Sequence, residues 1–352
     1  MRSVKLALWM VAILLTIQSC KKSDVPAPQP PIVIQPPPPF GFYVVGYFPS
    51  YRALADVPDV KFRMCNVVNY AFFNVNSAGE VTVPTSVSTT ATQLIAKARA
   101  AGAKVFVSIN DVASGQANFK AMAATATGRT RFAADVMRKV RQYGFDGVDI
   151  DWEYPTTTDG TDASFTALMK ELADSLHRDR KYYLTAAITP GKYAGGIRDA
   201  IRSEVFAYAD WFNVMAYDDF STSAPYRHHS DYNLAATVLN YWLNTRGMPK
   251  EKCVLGIPAY GRPSGITQSG TVLAYRDILA RGGSPLSDSA VVTSASYTTP
   301  YTIYYNGQPT VKKKAKLAKD IAGGIMFWEM WHDTPDASSL MKAAADTIGR
   351  AY

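Results

Sequence analysis

The stretch DGVDIDWEYP, Asp146 to Pro155, sets Asp146, Asp149, Asp151 and Glu153 among valine, isoleucine and tryptophan, as a buried strand would. Alternate residues of a strand share a face, so Asp149, Asp151 and Glu153 point one way and Val148, Ile150 and Trp152 the other. Burying three neighbouring carboxylates as anions is prohibitively costly. At least one must hold a proton, and neighbours must supply hydrogen bonds. An acid kept protonated in this way is ready to donate.

Outward from that segment the chain repeats a rhythm. Eight short, apolar, β-rich runs recur: YVVGYF (Tyr43–Phe48), NVVNYAFFNV (Asn66–Val75), KVFVSI (Lys104–Ile109), FDGVDIDW (Phe145–Trp152), YYLTAAI (Tyr182–Ile188), WFNVMAY (Trp211–Tyr217), CVLGIPAY (Cys253–Tyr260) and GGIMFW (Gly323–Trp328). Helical patterns separate most of them, among them TQLIAKARAAG (Thr92–Gly102) and RFAADVMRKVRQYG (Arg131–Gly144), each closed by a glycine. Near-continuous apolar strands alternating with helices indicate a parallel sheet covered by those helices. Eight such units predict an α/β fold, a closed (β/α)8 TIM barrel. Glu153 then emerges at the C-terminal end of its strand, where barrel active sites gather, with Asp149 deeper inside.

The composition of 352 residues, 47% of them hydrophobic, supports a large core and excludes a disordered chain. Lys and Arg number 37 against 29 Asp and Glu, a mild excess. The dense run KKKAKLAK (Lys312–Lys319) reads as the solvated face of a helix, so nucleic acid is not an expected partner. Cys65 and Cys253 each open an apolar run and read as small core residues. The four histidines show no metal-ligand spacing, so neither metal nor cofactor is expected, and His228 and His229 read as surface residues of a polar turn.

At the N-terminus, Arg2 and Lys5 precede an apolar run from Leu6 to Ile17 and then Ser19 and Cys20, the layout of a secretory signal over residues 1–19. Ile17-Gln18-Ser19-Cys20 resembles a bacterial lipobox, which implies a lipidated Cys20, a membrane anchor and an exported protein of the cell envelope. Residues 20–41, rich in proline, read as an extended tether. The catalytic barrel is expected over 42–352.

DGVDIDWEYP also matches the DxxDxDxE signature of glycoside hydrolase family 18, the chitinase family. GYFPSY, NYAFFNV, MAYDDF, GIPAYGRP and GGIMFWEMWHD resemble that family's strand motifs in their order, so the resemblance spans Phe42 to Tyr352. It implies that Glu153 is the general acid. The substrate's 2-acetamido oxygen takes the place of an enzyme nucleophile, with retention of configuration. Asp151 would then hold the acetamido N–H, Asp149 would share its proton, and Tyr217 would bind the acetamido oxygen. Asp218 would hold the reacting sugar and Met215 would line the pocket.

Sugar rings pack their C–H faces on aromatic surfaces, which makes Trp328, Tyr47, Phe72, Tyr154 and Trp331 candidates for the cleft. Trp328 resembles the family's pocket-floor tryptophan. Trp211, at the start of its run, reads as packing. The third-strand motif departs from the family's SxGG: Asn110 and Asp111 stand where glycines are expected, a change that narrows the cleft floor or adds a sugar contact. Between the seventh and eighth runs, Arg262 to Ala322 leaves too little chain for a sizeable insertion domain, so a shallow, open cleft is expected. The resemblance implies a chitinase acting on β-1,4-linked N-acetylglucosamine. An endo-β-N-acetylglucosaminidase cutting the chitobiose core of N-glycans shares the acids, and a lectin-like member would bind sugar without cleaving it.

Overall fold

The apolar runs form eight parallel strands in the computed structural model, which describes residues 34–84, 87–178 and 180–352. They are β1 (Tyr43–Pro49), β2 (Val67–Val75), β3 (Lys104–Asn110), β4 (Gly147–Asp151), β5 (Tyr183–Ile188), β6 (Trp211–Val214), β7 (Cys253–Pro258) and β8 (Gly324–Trp328). Each pairs in parallel with its sequence neighbours, and pairing of β1 with both β2 and β8 closes the barrel. Every residue of β1, β4, β5 and β7 is buried, as expected of strands covered on both faces.

The alternation read from β4 holds. Val148 and Ile150 join the apolar layer between strands and helices, and so does Trp152, just beyond the strand, where it stacks on Phe119 with centroids 5.1 Å apart. Such a pair adds about 1 kcal/mol to the burial of its rings. The helix Ala126–Tyr143, which covers this side, ends where Gly144 takes φ +78, a left-handed turn that favours glycine. Asp146, the first acid of the motif, lies at the opposite end of the strand from the others and accepts from the Val105 amide (2.9 Å).

Aromatic residues plug the N-terminal end of the barrel. Trp211 stacks on Tyr43 (4.1 Å) and Phe40 meets Tyr43, Tyr183 and Trp211 edge-on. The last part of the expected tether is therefore not a free spacer: Tyr183 donates to the Pro38 carbonyl (2.9 Å), and the Gln35 amide to that of His177 (3.2 Å). Docked aromatic surface outweighs the tendency of a proline run to remain solvated. The expected signal, Cys20 and the first part of the tether lie outside the described residues.

Between β7 and β8 the chain builds a four-stranded antiparallel sheet from Tyr260–Pro263, Leu273–Ala274, Ser289–Val292 and Tyr301–Tyr304, with a short helix, Tyr275–Ala280. Cys65 and Cys253 are buried free thiols. The lysine run is a correction. In the helix Gln308–Ile321, Lys312, Lys313, Lys316 and Lys319 are exposed, but Lys314 is fully buried, because a residue one turn from Thr310 and Val311 shares their inward face.

Candidate active site

At the C-terminal mouth of the barrel a cavity of about 270 Å³ receives side chains from all eight strands or the residues just after them. Tyr47 comes from β1, Phe72 from β2, Asn110 from β3, Asp151 and then Glu153 from β4. Ala187 follows from β5, Met215, Tyr217 and Asp218 from the end of β6, Tyr260 from beyond β7, and Met326 and Trp328 from β8. Tyr154 completes the lining.

Asp149 and Asp151 of β4, and Glu153 two residues beyond it, meet different surroundings. Asp149 is fully buried behind the cavity and saturated: Oδ2 accepts from the Tyr47 hydroxyl (2.6 Å) and Ser108 Oγ (2.8 Å), Oδ1 from Thr185 Oγ1 (2.6 Å) and Asn213 Nδ2 (3.1 Å). Burial pushes its carboxyl up, and those four donors limit the rise. Asp151, one step outward, receives only a long contact from Asn110 Nδ2 (3.5 Å), and its buried Oδ1 has no hydrogen-bond partner. Burial, then the charges of Glu153 and Asp149, raise it well above an ordinary aspartate. Glu153 opens onto solvent, yet the surrounding protein raises it too, against a hydrogen bond from Tyr154 that lowers it. The charge of Asp149 acts on Asp151 from two residues back along the same strand.

Opposite the acids, Tyr217 is held protonated by burial and by the charges of Glu153 and Asp151. Burial raises the Asp218 carboxyl, but His229, Tyr260 (2.6 Å) and Arg262 (3.1 Å) outweigh it and hold the group below the usual range. Trp328 stacks on Phe72 (5.7 Å, 25° between planes), which makes one flat aromatic wall.

The expected site residues on the barrel other than Trp331 meet here, with Asp149 buried behind the cavity and Tyr47 serving chiefly as a hydrogen-bond donor to it. Trp331 does not join the cavity. Arg52 and Arg276 each lie 4.4 Å from a Trp331 ring centroid, and its Nε1 donates to Asp56 (3.0 Å), so its faces meet guanidinium groups. Of the two residues in place of glycines, Asn110 faces the cavity. Asp111 turns aside and accepts from the amides of Ala113 (2.8 Å) and Phe119 (2.9 Å).

Ser108, Thr185, Asn213 and Tyr260 were not anticipated as site residues. The first three are lone polar residues at inward positions of apolar strands, a signal the sequence does contain, and Ser108, Asp149 and Thr185 lie in register across three strands. His228 and His229 are a second correction. His229 is fully buried and His228 largely so, because the loop that carries them packs beneath Tyr260 and against the helix of Lys314. Among the described residues no cluster could hold a metal ion.

A parallel barrel whose mouth sets graded carboxylates against an aromatic wall is built for acid-assisted chemistry on a neutral ring. The chain belongs to glycosyl hydrolases family 18, whose family model matches residues 43–333. A GH18 chitinase from the chitin utilization locus of Flavobacterium johnsoniae is 26% identical and superposes with a TM-score of 0.71 over 88% of this chain and 94% of that one. A GH18 chitinase from Cycas revoluta, solved in complex with (GlcNAc)3, is 28% identical with a TM-score of 0.72 over 87% and 99%. A probable chitinase 10 of Drosophila melanogaster is 27% identical across 92% of this chain. The chain spans 17% of that relative's length and 36% of that of Streptomyces plicatus chitinase 63.

Proposed function

We propose that this protein is a chitinase, a retaining glycoside hydrolase that cleaves β-1,4-linked N-acetylglucosamine with help from the substrate's own acetamido group. The observation that carries the reading is the series Asp149–Asp151–Glu153, two inward positions of one strand and the residue two beyond its end, which leads into an open cavity beside Trp328 and Tyr217. Glu153, raised by burial in its surroundings, gives its proton to the glycosidic oxygen. As the anomeric carbon gains positive charge, the acetamido oxygen closes on it. Asp151 accepts the acetamido N–H while Tyr217 donates to the acetamido oxygen. Asp149 takes the proton that Asp151 releases, and one of the hydroxyls around it turns to accept from it. Glu153 then deprotonates the water that opens the cyclic intermediate, so configuration is retained.

Asp218, kept ionised, holds a hydroxyl of the reacting sugar, and Trp328 with Phe72 packs on its ring. Asn110, Met215 and Tyr154 shape the pocket around the acetamido group. The similarity to a Cycas revoluta chitinase solved with (GlcNAc)3 supports this substrate class. We also read the N-terminus as an export signal with lipidation at Cys20, which anchors the enzyme in a bacterial envelope. The described chain enters the barrel at the end opposite the cleft.

Product analysis tests the activity: short N-acetylglucosamine oligomers released first as the β-anomer are expected, and intact oligomers after prolonged incubation overturn the reading. Mass spectrometry of the full chain from membranes tests the anchor, with an unmodified Cys20 as the contrary result.

A further inference from the structure

His229 sits in the polar loop PYRHHSDY yet exposes nothing to solvent. Burying an imidazole is costly unless its nitrogens find partners. Its Nδ1 lies 3.5 Å from Asp218 Oδ1, the outer limit of a hydrogen bond, and neither ring nitrogen has another partner. We propose that His229 is a positioning residue for Asp218: its Nδ1–H donates to Oδ1 and keeps that carboxylate ionised and aimed for the sugar hydroxyl. The inference rests on the reading of Asp218 given under Proposed function.

Three observations support it. The tautomer follows from the surroundings, since a proton on Nδ1 meets a carboxylate and one on Nε2 is a buried donor without an acceptor. The ring is held from its neighbours: Tyr260 lies 5.1 Å away by centroids, and the nearly parallel ring of His228 5.7 Å away. His228 is itself fixed, because its Nδ1 accepts from the Ser230 amide (2.9 Å) and its Nε2 must then donate to the Tyr305 carbonyl (2.6 Å).

The loop backbone is fastened to the strand end that carries Asp218. The Asp219 amide donates to the His229 carbonyl (2.9 Å) and Ser230 Oγ to the Ala216 carbonyl (2.7 Å). Lys314 Nζ and Asn306 Nδ2 converge on the Ser230 carbonyl (2.7 and 2.8 Å). Asp218 needs such support, because its φ of +64 is a region that residues other than glycine adopt at a cost. The titratable and charged groups around His229 are Asp218, His228, Tyr260, Arg262 and Lys314. Burial, Lys314 and Arg262 oppose a charge on the ring more than Asp218 favours one, so His229 acts as a neutral donor.

The test compares two variants on N-acetylglucosamine tetramer across pH. His229→Leu keeps bulk and removes the donor; His229→Asn keeps an amide N–H near the position of Nδ1. For His229→Leu, kcat/KM should fall about tenfold and its acid limb should move to higher pH, because Asp218 loses a donor that keeps it ionised. His229→Asn should stay within about threefold of wild type with the limb in place. Equal losses in both variants with unmoved limbs, or no loss in either, overturn the proposal. Nitrogen NMR of the wild-type ring is independent of variant folding: an Nδ1–H tautomer is expected and an Nε2–H tautomer refutes it. A wild type inactive on the tetramer defeats the functional reading, while the ring spectrum still decides this one.

Discussion

Replacing Lys314 with methionine should change how stability depends on pH. Lys314 Nζ is fully buried, and burial lowers its pKa from 10.5 to about 7, with Asp231 and Asp288 only partly opposing. Its contacts are the carbonyl (2.7 Å) and Oγ (2.8 Å) of Ser230. Between pH 7 and 10.5 the unfolded chain therefore binds a proton that the folded chain does not, so stability rises with pH across that window. The full cost of the buried charge is about 5 kcal/mol below pH 7, comparable with the whole stability of many domains. Methionine fills similar space and does not titrate. The Ser230 carbonyl keeps Asn306 as a donor, and Ser230 Oγ keeps the Ala216 carbonyl. Urea unfolding of both proteins at pH 7.0 and 9.5 isolates the effect, because other groups cancel in the difference. The advantage of Lys314→Met should shrink by about 3 kcal/mol between those two pH values. An identical difference at both would mean that Lys314 does not lose its proton in the fold.

Glu153→Gln removes the donated proton at constant size, so kcat should fall by about 10² to 10⁴ with binding of oligomers retained; full turnover refutes the assignment. Tyr154→Phe deletes the hydrogen bond that lowers the Glu153 pKa, so Glu153 stays protonated to higher pH and the basic limb of kcat/KM should move upward; a downward shift contradicts this. Trp328→Ala should raise KM roughly tenfold or more by removing the aromatic wall. Trp331→Ala, outside the cavity and met on its ring by Arg52 and Arg276, should leave KM within about twofold, and a large rise would return Trp331 to the cleft.

Eight strands and the barrel were legible in the sequence because strands buried on both faces leave long apolar runs that turns interrupt. The acids were legible for a related reason, since a carboxylate in such a run contradicts its surroundings. Lys314 and His229 were not, because a lysine-rich helix and a polar loop look solvated until tertiary packing selects which residue turns inward. Trp331 shows the converse. An aromatic near a site is ambiguous in sequence, and only the placement of Arg52 and Arg276 decides what its faces meet. Asn110 and Asp111, adjacent in the chain, part company for the period-two reason that also sorts β4: one faces the cavity and the other the loop.

Four acids in one core segment are tolerable because no two of them share the same environment. Asp146 sits at the far end of the barrel and accepts a backbone amide. Asp149 draws its donors from four other strands, through Tyr47, Ser108, Thr185 and Asn213, so the closed barrel itself supplies what a lone strand could not. Asp151 has almost none of that help and two like charges beside it, so it is raised well above its usual range. Glu153 stands where substrate arrives. Hydrogen-bond supply thus falls sharply from Asp149 to Asp151, the two acids within the strand. That difference between Asp149 and Asp151 is set by the barrel's register, which lines up Ser108, Asp149 and Thr185 before any sugar binds.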